Sequence, residues 1–212
     1  MNVSNRARPG RPRGSDRQEL LAIARKLFIA NGFRGTTMDK IAAQAHISKQ
    51  SLYRDFESKD MLFAAVVRDW VDQGTDAMRP HSAALAQADD VADALKRLAD
   101  ALQGGLLSPA VLQMRTLVAS EALRLPEVAA DYLERSWLGN MAILADALTV
   151  LDRRGLLSVE HPRLAAEQFT WLVVAAPLNQ LTLQGGAAVY TADDLRELAG
   201  QGVATFLSRY GR

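Results

Sequence analysis

The stretch SKQSLYRDF, residues 48–56, concentrates side chains that can exchange hydrogen bonds with another molecule. Lys49, Gln50 and Ser51 carry an amine, an amide and a hydroxyl, which are groups that read base edges in the major groove of DNA. Tyr53 carries a phenol, which can donate to a phosphate oxygen and fix a protein's register on the duplex. The pattern predicts that the first three residues contact bases and that Tyr53 contacts phosphate.

These side chains can contact another molecule only if their helix packs against the rest of the protein through one face and exposes the other. At the helical step of about 100° per residue, Leu52 and Phe56 share one narrow sector, with Gln50 and Arg54 opposite. Ser48 can cap such a helix by accepting from its first backbone N–H groups. The sequence therefore predicts a short helix that displays its polar residues, with Arg54 as a further phosphate contact.

The chain before this segment carries the pattern of a first helix. Apolar residues follow helical spacing over about residues 16–31, and Gly32 then supplies a stop. Phe33, directly after that glycine, is expected to fold back onto Phe28, as residues beyond a helix C-terminus often do.

A second helix is predicted over about residues 38–45, with Thr37 as its N-cap. Residues 46–48 then turn the chain into the polar segment, and two short helices joined in this way form a helix-turn-helix. Periodicity alone leaves an ordinary corner between two helices as an alternative. Thr37 and Lys59 each stand at a helix N-terminus, where the dipole favours anions, so both are predicted to contact phosphate.

The remainder of the chain shows helical patterns only. A helix is predicted from Lys59 to about Asp76, and the residues from Gly74 to His81 are expected to break it. Further helices are predicted over about residues 89–103, 109–122, 126–154, 162–184 and 192–209. No segment alternates with a period of two, so we expect an all-α fold of about nine helices.

Charge is distributed unevenly, although the net charge is only +1. Residues 1–60 carry 12 basic and 6 acidic side chains, whereas residues 61–212 carry 13 basic and 18 acidic ones. A basic first part indicates that this part alone meets a polyanion. The expected domains are a flexible basic arm over residues 1–14, a helix-turn-helix domain over 15–60 and a larger helical domain over 61–212.

The arm combines proline, glycine and arginine with almost no apolar residues, so it cannot offset the entropy of ordering. Proline keeps its PGRPRG segment extended, and Arg11 and Arg13 project from it. Such arginines suit the narrow minor groove of DNA, and both are predicted to bind there. A solvated tail is the alternative.

Composition excludes several classes of protein. The chain has no cysteine, which removes disulfides, thiol catalysis and cysteine-bound metals. The longest apolar run, from Phe169 to Pro177, is far shorter than the ~20 residues that span a bilayer, and no signal peptide is recognisable. No catalytic motif or metal-binding spacing is present. We therefore expect a cytoplasmic protein that is not an enzyme and needs no cofactor or metal.

The segment ARKLFIANGFRGTTMDKIAAQAHISKQSLYRDFESKDML strongly resembles the N-terminal domain of the tetracycline-repressor (TetR/AcrR) family of bacterial transcription regulators. The likeness covers about residues 16–65 and rests on AxxLFxxxGxxxT followed by IAxxAxxSxxxLYxxFxSK. It implies base contacts at the three residues named above and phosphate contacts at Thr37, Tyr53 and Lys59. Double-stranded operator DNA is the implied partner.

Asp55 departs from that family pattern, which often has histidine or another aromatic residue at this position. Phosphate would repel a carboxylate there. Pairing with Lys59, four residues on, and acceptance of a hydrogen bond from a cytosine amine are both open.

The resemblance also implies a homodimer in which the last two helices of each subunit form a four-helix bundle, so that two reading helices meet a palindromic operator. The core of a single chain explains the same apolar pattern equally well. The predicted dimer residues are Phe169, Leu172, Val173, Ala176, Leu195, Leu198, Gly202 and Phe206.

The middle helices are expected to enclose a pocket for a small lipophilic effector. The segment MRTLVASEALRLPEVAADYLER looks like the C-terminal domain of AefR-like members of the family, which supports this architecture. Ordinary core packing is the alternative for each residue taken singly. The predicted pocket residues are Met114, Arg115, Val118, Trp137, Met141, Trp171 and Val174.

The function that these patterns indicate is a ligand-responsive dimeric repressor. The alternatives are a helical-bundle ligand carrier or enzyme with an incidental basic arm, and a protein that coats nucleic acid without sequence preference.

Overall fold

The computed structural model describes residues 13–185 and 190–212, with side chains from Arg17 onward in the first range. Over these residues the chain forms nine helices and no β-strand beyond a single bridge between Leu157 and Gly211. The helices are α1 (Arg13–Gly35), α2 (Met38–Gln44), α3 (Lys49–Asp55), α4 (Lys59–Gln87), α5 (Val91–Leu106), α6 (Pro109–Glu121), α7 (Pro126–Tyr132, a π-helical stretch Leu133–Leu138, and Gly139–Arg153), α8 (Pro162–Leu183) and α9 (Ala192–Tyr210). The predicted all-α class is confirmed.

The chain divides into two compact units, one up to Val66 and one over Val67–Arg212, so the division falls inside α4. Most of the predicted arm, including Arg11, lies outside the described residues. Arg13, which was predicted to belong to the arm, is the first residue of α1.

Three phenylalanines form the centre of the first unit. Phe33 stacks on Phe28 with ring centroids 5.8 Å apart, and Phe63 meets both rings edge-on at 5.2 Å. Gly32 has a φ of 69° and leaves the helical path there, which lets Phe33 turn back towards Phe28. The predicted stop at Gly32 and the predicted return of Phe33 are both confirmed.

Side-chain caps set the starts of the two short helices. The Thr37 Oγ1 accepts from the backbone N–H of Lys40 at 3.2 Å, and the Ser48 Oγ accepts from that of Ser51 at 3.0 Å. His46 takes a positive φ of 55° in the turn between them. Both caps agree with the sequence prediction, and α2, the turn and α3 form a helix-turn-helix.

The second unit packs α8 and α9 closely against α5. The buried Gln103 amide on α5 donates to the carbonyl oxygens of Val173 at 3.2 Å and Leu195 at 2.9 Å, and so ties three helices together. A Cβ atom at Gly202 would lie 3.3 Å from the Leu172 carbonyl oxygen. The glycine therefore permits α9 to approach α8 within the same chain.

The predicted break between Gly74 and His81 is wrong, because α4 continues through it and contains Pro80. Leu85, beyond the predicted break, is 1% exposed, and the Arg154 guanidinium donates to the Ala86 carbonyl oxygen at 2.9 Å. Glycine and proline weaken a helix locally, but burial and tertiary hydrogen bonds over the following turns outweigh that preference.

Candidate nucleic-acid interface and ligand cavity

Helix α3 buries one narrow face and exposes the rest. Leu52 and Phe56 are 0% and 3% exposed, whereas Gln50 is exposed and Tyr53 keeps 42% of its surface in solvent. The two buried residues hold the helix in the first unit. An amide and a phenol therefore stand on the outer surface of a capped helix, where a DNA groove could receive them.

Lys49 is held at the junction of α2 and α3. Its Nζ atom lies 2.8 and 3.0 Å from the two carboxylate oxygens of Asp39 and 5.9 Å from the centroid of the Tyr53 ring. The hydrogen bond and charge of Asp39 raise the pKa of the Lys49 ammonium above its ordinary value. Both side chains are exposed, so this pair contributes little to stability and is open to exchange with another anion.

Arg54 links two of its neighbours on α3. It donates to the Ser51 Oγ at 3.0 Å, and its Nε lies 3.5 Å from an Asp55 oxygen. The sequence left two roles open for the Asp55 carboxylate. In the structure, this carboxylate pairs with Arg54 instead. Ser51 keeps its own hydroxyl proton for another acceptor, since it only accepts from Arg54.

Thr37 is exposed at the start of α2, with its hydroxyl oxygen engaged in the cap. Lys59, which the sequence assigns to phosphate, is partly buried and points elsewhere. Its ammonium donates to the carbonyl oxygens of Phe33 at 2.9 Å and Thr36 at 2.8 Å and lies 4.2 Å from the Phe33 ring centroid. Two of its three protons thus bind the turn that ends α1, which gives Lys59 a structural role, and a phosphate contact through the third proton stays a prediction.

The second unit contains a cavity of about 470 Å³. Side chains of α4, α5, α6, α7 and α8 form its wall, which is mostly apolar and includes several aromatic rings. Trp137 and Trp171 meet at one part of the wall with ring centroids 4.6 Å apart. Such a size and lining suit a small organic molecule.

Four of the seven predicted pocket residues line this cavity: Arg115, Trp137, Met141 and Trp171. The other three, Met114, Val118 and Val174, are between 0% and 4% exposed and do not line it. Helical spacing marks a buried position, but it does not separate a position facing a cavity from one facing a neighbouring helix.

Helix α7 supplies cavity residues that the sequence did not single out, namely Tyr132, Ser136 and Asn140. The segment Leu133–Leu138 is π-helical, and a π-helical turn contains more residues than an α-helical turn. Side chains separated by four residues therefore lie on nearly the same face of the helix. The spacing of four among polar residues was the signal that could have found them.

Charged groups join α4 to α7 beside the cavity. The Arg68 Nε donates to the Asp131 carboxylate at 2.7 Å, and Arg135 pairs with Asp72. The Thr75 hydroxyl, in the cavity wall, also donates to the Arg135 carbonyl oxygen at 3.4 Å. A molecule that displaces this part of α4 must therefore disturb contacts with α7.

Half of the predicted dimer residues are buried within the single chain. Phe169, Val173, Gly202 and Phe206 lie between α8 and α9, where the two phenylalanine rings meet edge-on at 5.2 Å. They are therefore not available to a second chain. Leu172 and Ala176 are exposed, and Leu195 and Leu198 are half-buried.

Two negative findings concern the described residues. None of their helices has the length and apolar character needed to cross a membrane. Within the same ranges, no group of three or more histidine and acidic side chains is arranged to hold a metal ion.

A helix-turn-helix is a DNA-binding motif, and in this chain a larger helical unit that contains a cavity follows it. Residues 20–66 match the family described as bacterial regulatory proteins, tetR family, and residues 93–212 match the AefR-like transcriptional repressor, C-terminal domain. The second match covers more than half of the chain. The chain therefore belongs to the TetR family of bacterial transcription regulators, as its sequence motifs indicated.

A solved TetR-family regulator from Mesorhizobium loti is similar over 95% of this chain and 100% of its own, at 28% identity and a TM-score of 0.91. Two proteins of Mycolicibacterium smegmatis match over shorter stretches. The transcriptional activator FasR is 38% identical over 68 residues, 32% of this chain and 31% of its own, and the repressor KstR2 is 41% identical over 64 residues, 30% and 31%. The chain thus spans about a third of the length of these curated relatives.

Proposed function

We propose that this protein is a sequence-specific DNA-binding regulator that represses transcription and is released from DNA by a small molecule. The observation that carries the proposal is the display of Gln50 and Tyr53 from a helix that Leu52 and Phe56 hold, inside a helix-turn-helix of the TetR family. In this proposal, the N-terminal end of α3 enters the major groove. Lys49, Gln50 and Ser51 then contact bases.

Phosphate contacts would fix the register of α3 on the duplex. The exposed Tyr53 and Arg54 are the candidates on α3, and the exposed Thr37 is the candidate at the start of α2. Lys49 would exchange Asp39 for an acceptor on DNA. Lys59 would join this set only through its third proton, because its ammonium already binds two carbonyl oxygens.

The protein would act as a homodimer through the outer faces of α8 and α9. Leu164, Leu172 and Ala176 are exposed on α8, and residues such as Ala204 and Ser208 are exposed on α9. We assign the dimer interface to this exposed surface, because four of the eight dimer residues predicted from sequence are buried within the chain. A two-fold dimer presents two copies of α3, which match the two halves of a palindrome.

A lipophilic effector in the cavity would weaken DNA binding through α4. This helix begins at Lys59 and supplies cavity residues from Trp70 to Ser82. An effector that shifts the helix would alter the separation of the two α3 helices. Because binding energies are linked, effector and DNA must weaken each other by the same factor.

Selection of binding sites from random duplex DNA tests the proposal. We expect an inverted repeat, bound ~10³-fold or more tightly than unrelated DNA at the same salt concentration. Equal affinity for all sequences, with the same steep dependence on salt, would instead show non-specific coating of nucleic acid. No binding to any duplex would favour the ligand carrier.

A further inference from the structure

The cavity wall carries an isolated positive charge. Among the described residues that line it, Arg115 on α6 is the one charged side chain, and the other polar groups are neutral hydroxyls and amides. The ion pairs found in the described ranges do not include Arg115, although its side chain is partly buried. Because no described acidic residue pairs with Arg115, an anion entering the cavity could form a charge-assisted hydrogen bond with its partly buried guanidinium.

Tyr132 is the one neighbour in the described wall that could have supplied a negative charge. Burial raises the pKa of its phenol above the ordinary value, and the opposing effects of Arg115 and Ser136 are smaller. The phenol therefore stays protonated at neutral pH and can donate a hydrogen bond from the same cavity wall as the guanidinium. Arg115 and Tyr132 together favour a ligand whose hydrogen-bond acceptor is negatively charged.

The rest of the cavity wall favours a ligand whose remaining part, called its body below, is apolar. Leu98, Leu102 and Leu144 line it together with the paired rings of Trp137 and Trp171 and the flexible side chains of two methionines. A volume of about 470 Å³ is within the range of cavities that bind small organic molecules.

We propose that the effector is an organic monoanion whose acidic head group binds Arg115 and whose apolar body fills the remainder of the cavity. This inference rests on the effector-responsive function proposed above and names the chemical class of the effector. Tyr132 would donate a second hydrogen bond to the same head group. Aliphatic and aromatic acids share this chemistry, so the test includes one of each.

Direct binding to the full-length protein, measured by calorimetry without DNA, tests the proposal. The probes are dodecanoate against 1-dodecanol and 2-naphthoate against 2-naphthalenemethanol, so that each acid is compared with a neutral counterpart. We expect at least one acid to saturate one site per chain, roughly 10-fold or more tightly than its alcohol, because a hydrogen-bonded charge outweighs a neutral contact. Whichever pair shows this preference identifies the body as aliphatic or aromatic.

Substitutions test whether Arg115 causes the preference for the acid over the alcohol. Arg115→Gln should remove it, whereas Arg115→Lys keeps the charge and should retain most of it. Arg163→Gln is the matched control, since Arg163 is exposed on α8 and does not line the cavity. If Arg115→Gln fails to fold, Arg115→Met, which also removes the charge and keeps a long side chain, takes its place with the same expected result.

Three results would overturn the proposal: no saturable binding of either acid, equal affinity for acid and alcohol, or a preference for acid that survives in Arg115→Gln. Such a result would leave the proposed regulation by some other molecule standing. Conversely, an acid that binds through Arg115 but leaves DNA affinity unchanged would support the anion site and contradict the effector-responsive regulation.

Discussion

Asp39 places a negative charge directly beside the lysine that we assign to DNA bases. Its carboxylate holds the Lys49 ammonium at 2.8 Å, and both groups are exposed on the surface that carries α3. An acceptor on a DNA base would have to compete with Asp39 for the same ammonium. We therefore expect Asp39 to weaken DNA binding.

We predict that Asp39→Asn binds operator and unrelated DNA more tightly, by about 2- to 10-fold at low salt, because one phosphate repulsion disappears and Lys49 is released. Fluorescence anisotropy with labelled duplexes over a series of salt concentrations measures the change. Glu127→Gln, which removes one negative charge from α7, is the control and should leave affinity nearly unaltered. A loss of affinity in Asp39→Asn would mean that the carboxylate positions Lys49 for a base.

Single residues also show what the sequence could and could not predict. Gly32, Thr37 and Ser48 act locally, through a positive φ or a hydrogen bond three residues away, and their roles were predicted correctly. The partners of Lys59 lie 23 and 26 residues earlier in the chain. Only the folded first unit brings such groups together, so the position at a helix N-terminus did not reveal this structural role of Lys59.

Among the helices, α4 differs most from its predicted form. Gly74 and Pro80 favour a break, but the helix continues to Gln87 because its later turns are packed in the second unit. Within a helix, proline removes one backbone hydrogen bond and crowds the preceding turn. Pro80 therefore reduces the stability of α4 without ending it.

Pro80→Ala should accordingly raise the free energy of unfolding, by roughly 1 to 3 kcal/mol, since alanine restores the backbone donor and fits the helix. Pro80 is exposed, so the substitution removes no core packing. Urea unfolding followed by circular dichroism measures the effect. Pro162→Ala, at the first turn of α8 where proline is favourable, should be neutral or mildly destabilising. If Pro80→Ala also destabilises, α4 is broken there in solution.

Helices α8 and α9 illustrate a different limit of sequence analysis. Apolar residues at helical spacing mark burial, but they do not tell whether the partner is the same chain or another one. Phe169 and Phe206 pack against each other, and Leu172, three residues after Phe169, faces outward. Assigning residues to core or interface required the observed contacts between the two helices.

For the whole molecule, we predict that Leu172→Glu separates the proposed homodimer, because a carboxylate on the exposed face of α8 would be desolvated at the interface. Light scattering after size exclusion should then give the mass of one 23.1 kDa chain instead of two. Leu123→Glu is the matched control, because Leu123 is fully exposed between α6 and α7. A dimeric Leu172→Glu protein would place the interface elsewhere.

We propose that α3 contacts DNA bases and that Gln50 is one of the residues that determine the preferred sequence. Site selection from random duplexes, performed in parallel with the wild type, Gln50→Ala and Tyr53→Phe, tests it most directly. Gln50→Ala should lose preference at one position in each half-site, a cost of about 1 to 3 kcal/mol, whereas Tyr53→Phe should keep the motif and bind every sequence more weakly. Recovery of the full wild-type motif by Gln50→Ala would contradict this account of how the protein recognises DNA.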